Sequence, residues 1–206
     1  MSNPLTRSLV VVTAPTVEPI TLVEAKAHLR VDDSASDALI TSLITTARNY
    51  CESFLHRTLC TTTYDLFLDR FPAGGVNYGG GSGEIRLWRA PAQSVTWIKY
   101  YALDGTLTTL DTSIYTVDVA AEPARIWPAY TQVWPAARLV PQAINIRYVA
   151  GYGLAASVPD EIKHALKLLI GTWYENRESV IVGTISSLLP SAVESLLWSR
   201  RIMEVY

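Results

Sequence analysis

Between Ile144 and Arg177 the chain changes its hydrophobic period once. In INIRYVA, residues Ile144, Ile146 and Tyr148 alternate with Asn145, Arg147 and Val149, the two-residue repeat of a half-buried strand. Beyond Gly151-Tyr152-Gly153, residues Ile162, Ala165, Leu166, Leu169 and Trp173 recur at helical spacing. A strand ends there and a packed helix begins, so the fold mixes the two. Pro159 suits the first helical turn, where a missing N–H costs nothing, and Asp160 and Glu161 place negative charge at the positive end of the helix dipole. The helix closes on Trp173, Tyr174, Glu175, Asn176 and Arg177, two large aromatics beside a cation, before the apolar ESVIVGTISSLLP.

Upstream, Thr21 with Glu24 three residues later makes a capping box for a short helix through Arg30. A longer helix follows from Asp37 to Leu55, with Ile40, Leu43, Ile44, Ala47, Cys51, Phe54 and Leu55 on one face. From Thr61 the pattern turns to strands. Tyr64, Leu66 and Leu68 alternate with aspartates, and Val95–Ala102 meets Thr106–Leu110 across Asp104-Gly105, a strong hairpin signal. Shorter strands are expected at Tyr115–Val119 and Arg125–Trp127, with Ile144–Ala150 the last. Turns at this density before the next helix imply an antiparallel sheet or small barrel. The fold class is therefore α+β: a small helical bundle with an inserted antiparallel sheet or barrel. The expected organisation is N-terminal bundle helices over 18–60, a β-rich insertion over 61–157, a bundle helix and loop over 158–187, and a final helix and arm over 188–206.

Two segments lack period. PAGGVNYGGGSG, residues 72–83, has glycines but no Lys followed by Ser or Thr and no helix after it, so it reads as a hairpin tip and not a phosphate loop. WPAYTQVWPAARLVP, residues 127–141, reads as an ordered irregular loop whose rings pack on the sheet.

The 206 residues carry 17 Lys and Arg against 19 Asp and Glu, spread evenly, for a net charge of −2. A dedicated duplex-DNA binder presents a basic face, and nothing here does so. The two helices Leu22–Arg30 and Asp37–Leu55 loosely resemble a helix-turn-helix, but the second offers Asp37, Thr41, Ser42, Thr45 and Thr46 where a recognition helix needs Arg, Lys, Asn or Gln. Cys51 and Cys60 are the only cysteines, and the place of Cys51 on an apolar helix face favours two reduced thiols. The apolar run LVVVTA is short for a signal-peptide core, and no segment approaches the ~20 residues of a membrane span, so production in a cytoplasm and no membrane contact are expected.

Catalytic chemistry finds no footing in the residues. His28, His56 and His164 sit at no metal-binding or catalytic spacing and read as surface or capping groups, and neither HExxH nor GxSxG occurs. Asp32-Asp33 reads as N-terminal capping of the long helix. No catalytic residue, metal or cofactor is expected. The C-terminal residues are instead rich in apolar side chains where termini are ordinarily polar. Ser191–Trp198 reads as a last helix that packs either at home or on a partner. Ile202–Tyr206, following Arg200-Arg201, has the apolar, aromatic and basic composition of an interface with another chain.

Taken in order, these features resemble the head-tail connector, or adaptor, proteins of long-tailed bacteriophages and gene transfer agents. EPITLVEAKAHLRVDDSASDALITSLITTARNYCESFLHRTL is similar to the family's opening, YYALDGTLTTLDTSIYTVD and INIRYVAGYG to the β-rich insertion of its larger subgroup, and VPDEIKHALKLLIGTWYENRE to its most recognisable helix. The resemblance implies a non-enzymatic virion protein at the head-tail interface, arranged with its own copies in a ring, usually twelvefold, beneath the portal protein. Such a ring extends the DNA channel without gripping DNA and offers a platform to a stopper or tail-completion protein. It implies Trp173, Tyr174 and Arg177 at the helix end that leads into a C-terminal arm. Composition and position add Leu197, Trp198, Arg200, Arg201, Ile202 and Tyr206 as portal or ring contacts. The competing readings are a stopper or tail-completion protein, and a nucleic-acid-binding packaging factor.

Overall fold

A computed structural model describes residues 7–72, 83–176 and 191–203. The glycine-rich tip, Arg177 and Tyr206 lie outside the described residues. The chain divides into two units. One comprises Pro15–Cys60 and Tyr152–Met203; the other takes residues 7–14 and Thr61–Gly151. The first is helical, with α1 (Leu22–Leu29), α2 (Asp37–Leu55), α3 (Asp160–Glu175) and α4 (Ser191–Trp198). The second holds β1 (Arg7–Thr13), β2 (Thr62–Leu68), β3 (Ile85–Arg86), β4 (Ala92–Tyr101), β5 (Leu107–Thr109), β6 (Tyr115–Asp118), β7 (Arg125–Pro128) and β8 (Ile144–Ala150).

In the helical unit, α1 opens on the expected capping box: the Thr21 hydroxyl accepts from the Glu24 amide at 3.2 Å, and the Glu24 carboxylate accepts from the Thr21 amide at 2.7 Å. That backbone hydrogen bond holds the Glu24 carboxyl below its usual range. Arg30 caps the other end in the left-handed region, with φ 58°. The start of α2 differs from expectation. Ser36 stands at the cap position without a side-chain capping hydrogen bond, while the Asp33 carboxylate accepts from Ala35 at 2.8 Å, one turn too early to cap the helix. Lys26 compensates by bridging the Asp33 carbonyl at 2.7 Å and the Asp37 carboxylate at 2.6 Å, which ties α1 to the start of α2.

α2 buries Ile40, Ile44, Ala47, Cys51 and Leu55, and α3 buries Ile162, Ala165, Leu166, Leu169 and Ile170 against the same core. Val193 and Leu197 of α4 complete it. Burial of such side chains stabilises at about 25 cal/mol per Å² of apolar surface removed from water. Both cysteines are buried free thiols. Among the described residues no helix is long and apolar enough to cross a membrane.

The sheet unit is built from two open antiparallel sheets, ordered β1-β2-β8-β4-β5 and β3-β7-β6, and not a closed barrel. β8 is central because it is apolar on one face and able to pair on both sides. Ile144, Ile146, Tyr148 and Ala150 are buried, facing Leu68, Leu66, Tyr64 and Thr62 of β2. Tyr64 and Tyr148 stack with ring centroids 5.6 Å apart, and the Tyr148 hydroxyl donates to the Trp88 carbonyl, an arrangement in which burial pushes its pKa up. Ile85, Leu87, Tyr115 and Ile126 from around the second sheet join the same core.

β2 and β3, the described strands on either side of the glycine-rich residues, belong to different sheets. The N-terminal LVVVT, for which no element was expected, is part of an edge strand, paired along β2 from Arg7↔Leu68 to Thr13↔Thr63. In the irregular 127–141 loop, Trp134 stacks on Phe71 at 4.9 Å and donates to the Gly83 carbonyl at 2.7 Å, whereas Tyr130 and Leu139 face solvent.

Candidate functional site: an assembly surface on the helical unit

The end of α2, the end of α4 and the residues after α4 converge on one region, and hydrogen bonds explain why. A helix leaves its last carbonyls without intrahelical donors. Ile202 supplies one to Leu55 at 3.0 Å, which draws the chain after α4 back along the end of α2. Arg57, buried in the turn after α2, donates through Nε to the Arg200 carbonyl at 2.6 Å. Arg201 then lies over the Phe54 ring at 4.8 Å and the Trp198 ring at 5.3 Å, cation contacts that also cover apolar surface. Arg200 reaches Glu161 of α3 at 3.2 Å, a pair exposed on both sides. The Glu161 carboxyl is held below its usual range by its own backbone N–H and then by Arg200.

This geometry sorts the predicted contact residues. Leu197 is fully buried in the helical core. Ile202 is half-buried, its backbone N–H donating to the Leu55 carbonyl at the end of α2. Trp173 is half-buried, edge-on to Tyr50 at 6.0 Å, and the Tyr174 hydroxyl donates to Ser36 at 3.1 Å. Both therefore brace α3 against α2 and the turn before it. Trp198, 53% exposed, and Arg200 face solvent, with Met203 beside them in sequence and also exposed.

Sequence reasoning missed Arg57, whose buried position carried no periodic signal, and the ion cluster of Arg48 with Glu18 at 2.8 Å and Glu52 at 3.4 Å. Among the described residues no group of His, Cys, Asp or Glu is placed to hold a metal. His28, His56 and His164 lie on separate elements, the second as the left-handed cap of α2. Burial pushes the Cys51 thiol up to about 12 and the Cys60 thiol up to about 11, away from any nucleophilic use.

The architecture is thus that of an α+β protein whose helical unit is interrupted in sequence by a sheet unit, with Trp198 and Met203 exposed near the end of α4. Residues 19–82 match the family model described as phage gp6-like head-tail connector protein. The whole chain shares its fold with subunits of solved gene transfer agent (GTA) particles. One lies in the neck of an empty GTA particle computed with C6 symmetry: TM-score 0.73, 22% identity, 97% of each chain covered. Another lies in the virion of a native gene transfer agent particle: TM-score 0.73, 22% identity, 96% of this chain and 97% of that one covered. A third is in the neck of a native GTA particle computed with C12 symmetry, with TM-score 0.65, 20% identity and 97% coverage of each. No curated protein matches the chain.

Proposed function

We propose that the protein is a head-tail connector subunit of a virion neck, a structural part and not an enzyme. The observation that carries this reading is the family match over residues 19–82, which is joined to a fold shared with neck subunits along nearly the whole chain. In this reading copies of the protein form a ring, twelvefold in its simplest form, beneath the portal protein. The ring continues the DNA channel and presents a platform to a stopper or tail-completion protein. The near-neutral charge supports a channel that lets DNA pass without holding it, since phosphate affinity rises with each cation that neutralises a phosphate.

Trp198 and Arg200 are the portal-contact candidates of this reading, with Arg201 holding Trp198 in place. A large exposed aromatic beside a cation is the composition of an interface hot spot. Arg177 and Tyr206 remain candidates from the sequence alone. Weak contacts repeated around a ring add through closure, so no single subunit needs a tight site. The test is binding of the purified protein to portal-bearing, tailless heads. Stable co-sedimentation that drops at least tenfold for Trp198→Ala supports the reading, and failure of the wild-type protein to bind such heads removes it.

A further inference from the structure

We propose that copies of this chain join edge to edge through the five-stranded sheet, β1 of one copy lying against β5 of the next. The proposal rests on the connector reading for its occupant, a second copy, but its geometry comes from the sheet itself. β1 and β5 are the two outer strands. An outer strand presents unpaired N–H and C=O groups, and proteins that must stay monomeric blunt such an edge with lysine, proline or charge. β1 reads RSLVVVT; after Arg7 it has no lysine, proline or charge, and although its register shifts between Val11 and Thr13, it leaves Val10, Val11 and Val12 exposed at 49%, 53% and 42%. At the other edge the β4–β5 hairpin exposes Leu103 and Leu107 at 71% and 56%. Among the described residues each edge carries exposed apolar surface.

Strand direction decides which edge meets which. All four ladders of the sheet are antiparallel, so with five strands β1 and β5 run the same way. A rotation that sets sheets side by side brings β1 and β5 together in parallel. That contact joins two different surfaces and propagates until the ring closes, whereas β1 against β1 is self-complementary and stops at two copies. Charge agrees with this choice. The ladders put Leu68, Ile144 and Tyr100 at one height, so Arg70 beyond β2 and Asp104 in the β4–β5 turn lie at the same end of the sheet. Arg70 is exposed at the β1 side; Asp104 is exposed at the β5 side, its carboxylate held by the Thr106 backbone and hydroxyl. Parallel docking therefore places opposite charges at one level.

Register also supplies the test. Ser8 pairs with Phe67, which pairs with Asn145, which pairs with Lys99 and so with Thr109, so Ser8 and Thr109 stand at equal height on opposite edges. Full-length variants Ser8→Cys/Thr109→Cys and Val10→Cys/Thr109→Cys, the second allowing a two-residue slip, are oxidised mildly at rising protein concentration and run on non-reducing gels. The expected result is a reducible ladder of dimers, trimers and larger multimers from at least one pair, with no ladder beyond dimer from any single-cysteine variant. Adding Val11→Lys to that pair is expected to cut the multimers at least tenfold while circular dichroism is unchanged. Monomers only from both pairs, or a double variant that stops at dimer as the single variants do, overturns the proposal. If such a protein still binds portal-bearing heads, the connector reading survives the loss of this contact; a ladder from protein that binds no such heads keeps the contact and removes that reading.

Discussion

The Arg57 guanidinium donates to the Arg200 carbonyl at 2.6 Å, joining residues 143 positions apart in the chain. Arg57 is only 7% exposed, so its hydrogen bonds form in a site with little water to replace them. Arg57→Ala leaves the Arg200 carbonyl without this donor and opens space beside α2. The expected cost is about 1–3 kcal/mol, read by chemical denaturation. Amide exchange at residues 199–203 is expected to rise with it. Unchanged exchange there would mean that Arg57 does not hold this segment.

Asp65 and Arg147 face each other across β2 and β8 in a two-point pair, both hydrogen bonds 2.8 Å long, with Asn145 adding a third at 3.3 Å. The Arg147 hydrogen bond outweighs the upward push of burial and holds the Asp65 carboxyl below its usual range. A carboxyl depressed by folding stabilises the protein above its unfolded pKa, and that contribution is lost as pH falls through the folded value. Asp65→Asn is expected to lose about 1–3 kcal/mol at neutral pH. The gap to wild type should close below about pH 4. Parallel stability profiles of the two proteins down to pH 2 would contradict this.

The two thiols supply a probe of global unfolding. Since burial raises Cys51 to about 12 and Cys60 to about 11, neither offers thiolate at pH 8 in the folded protein. Labelling by an aromatic disulfide reagent is expected to follow the denaturation curve of the helical unit. Rapid labelling of native protein would place at least one thiol outside the core.

Neighbouring residues on α4 should separate stability from assembly. Leu197→Ala removes a fully buried side chain and is expected to cost about 2–5 kcal/mol. Trp198→Ala, at a 53% exposed position, is expected to leave the melting temperature within a few degrees and to weaken head binding. The reverse pattern, a stable Leu197→Ala and a collapsed Trp198→Ala, would exchange their roles.

How far these features were legible depends on how local their causes are. The Thr21/Glu24 capping box is a contact between residues three apart, and the sequence alone located it. The helical period of Ile40, Ile44, Ala47, Cys51 and Leu55 likewise needs no knowledge of the partner, and neither does the alternation of Ile144–Ala150. β1 was missed because its three consecutive valines do not alternate in polarity and its partner, β2, begins only at Thr62. The division into two sheets was illegible for the same reason: β3 has two residues and is defined only by its pairing with Ile126 and Arg125. On the candidate surface, composition singled out Leu197, Trp198, Arg200 and Ile202 alike, but it could not show that Leu197 packs in the helical core and that Ile202 hydrogen-bonds Leu55. An apolar side chain is attracted equally by its own core and by another chain, and only the path of the backbone decides between them.

One hydrogen bond bears on how such a protein can change over generations. Tyr152 donates to the Leu59 carbonyl at 3.1 Å, so the two places where the helical unit's chain is interrupted are stitched together on its own side. Thr62 and Ala150, just beyond, are paired across the ladder. A segment whose two ends are already neighbours can be lengthened, shortened or exchanged with little cost in loop closure. The helices can thus persist in a lineage while the strands between residues 61 and 151 are redrawn, a swappable cassette on an inherited frame wherever the replacement still offers β1 a partner.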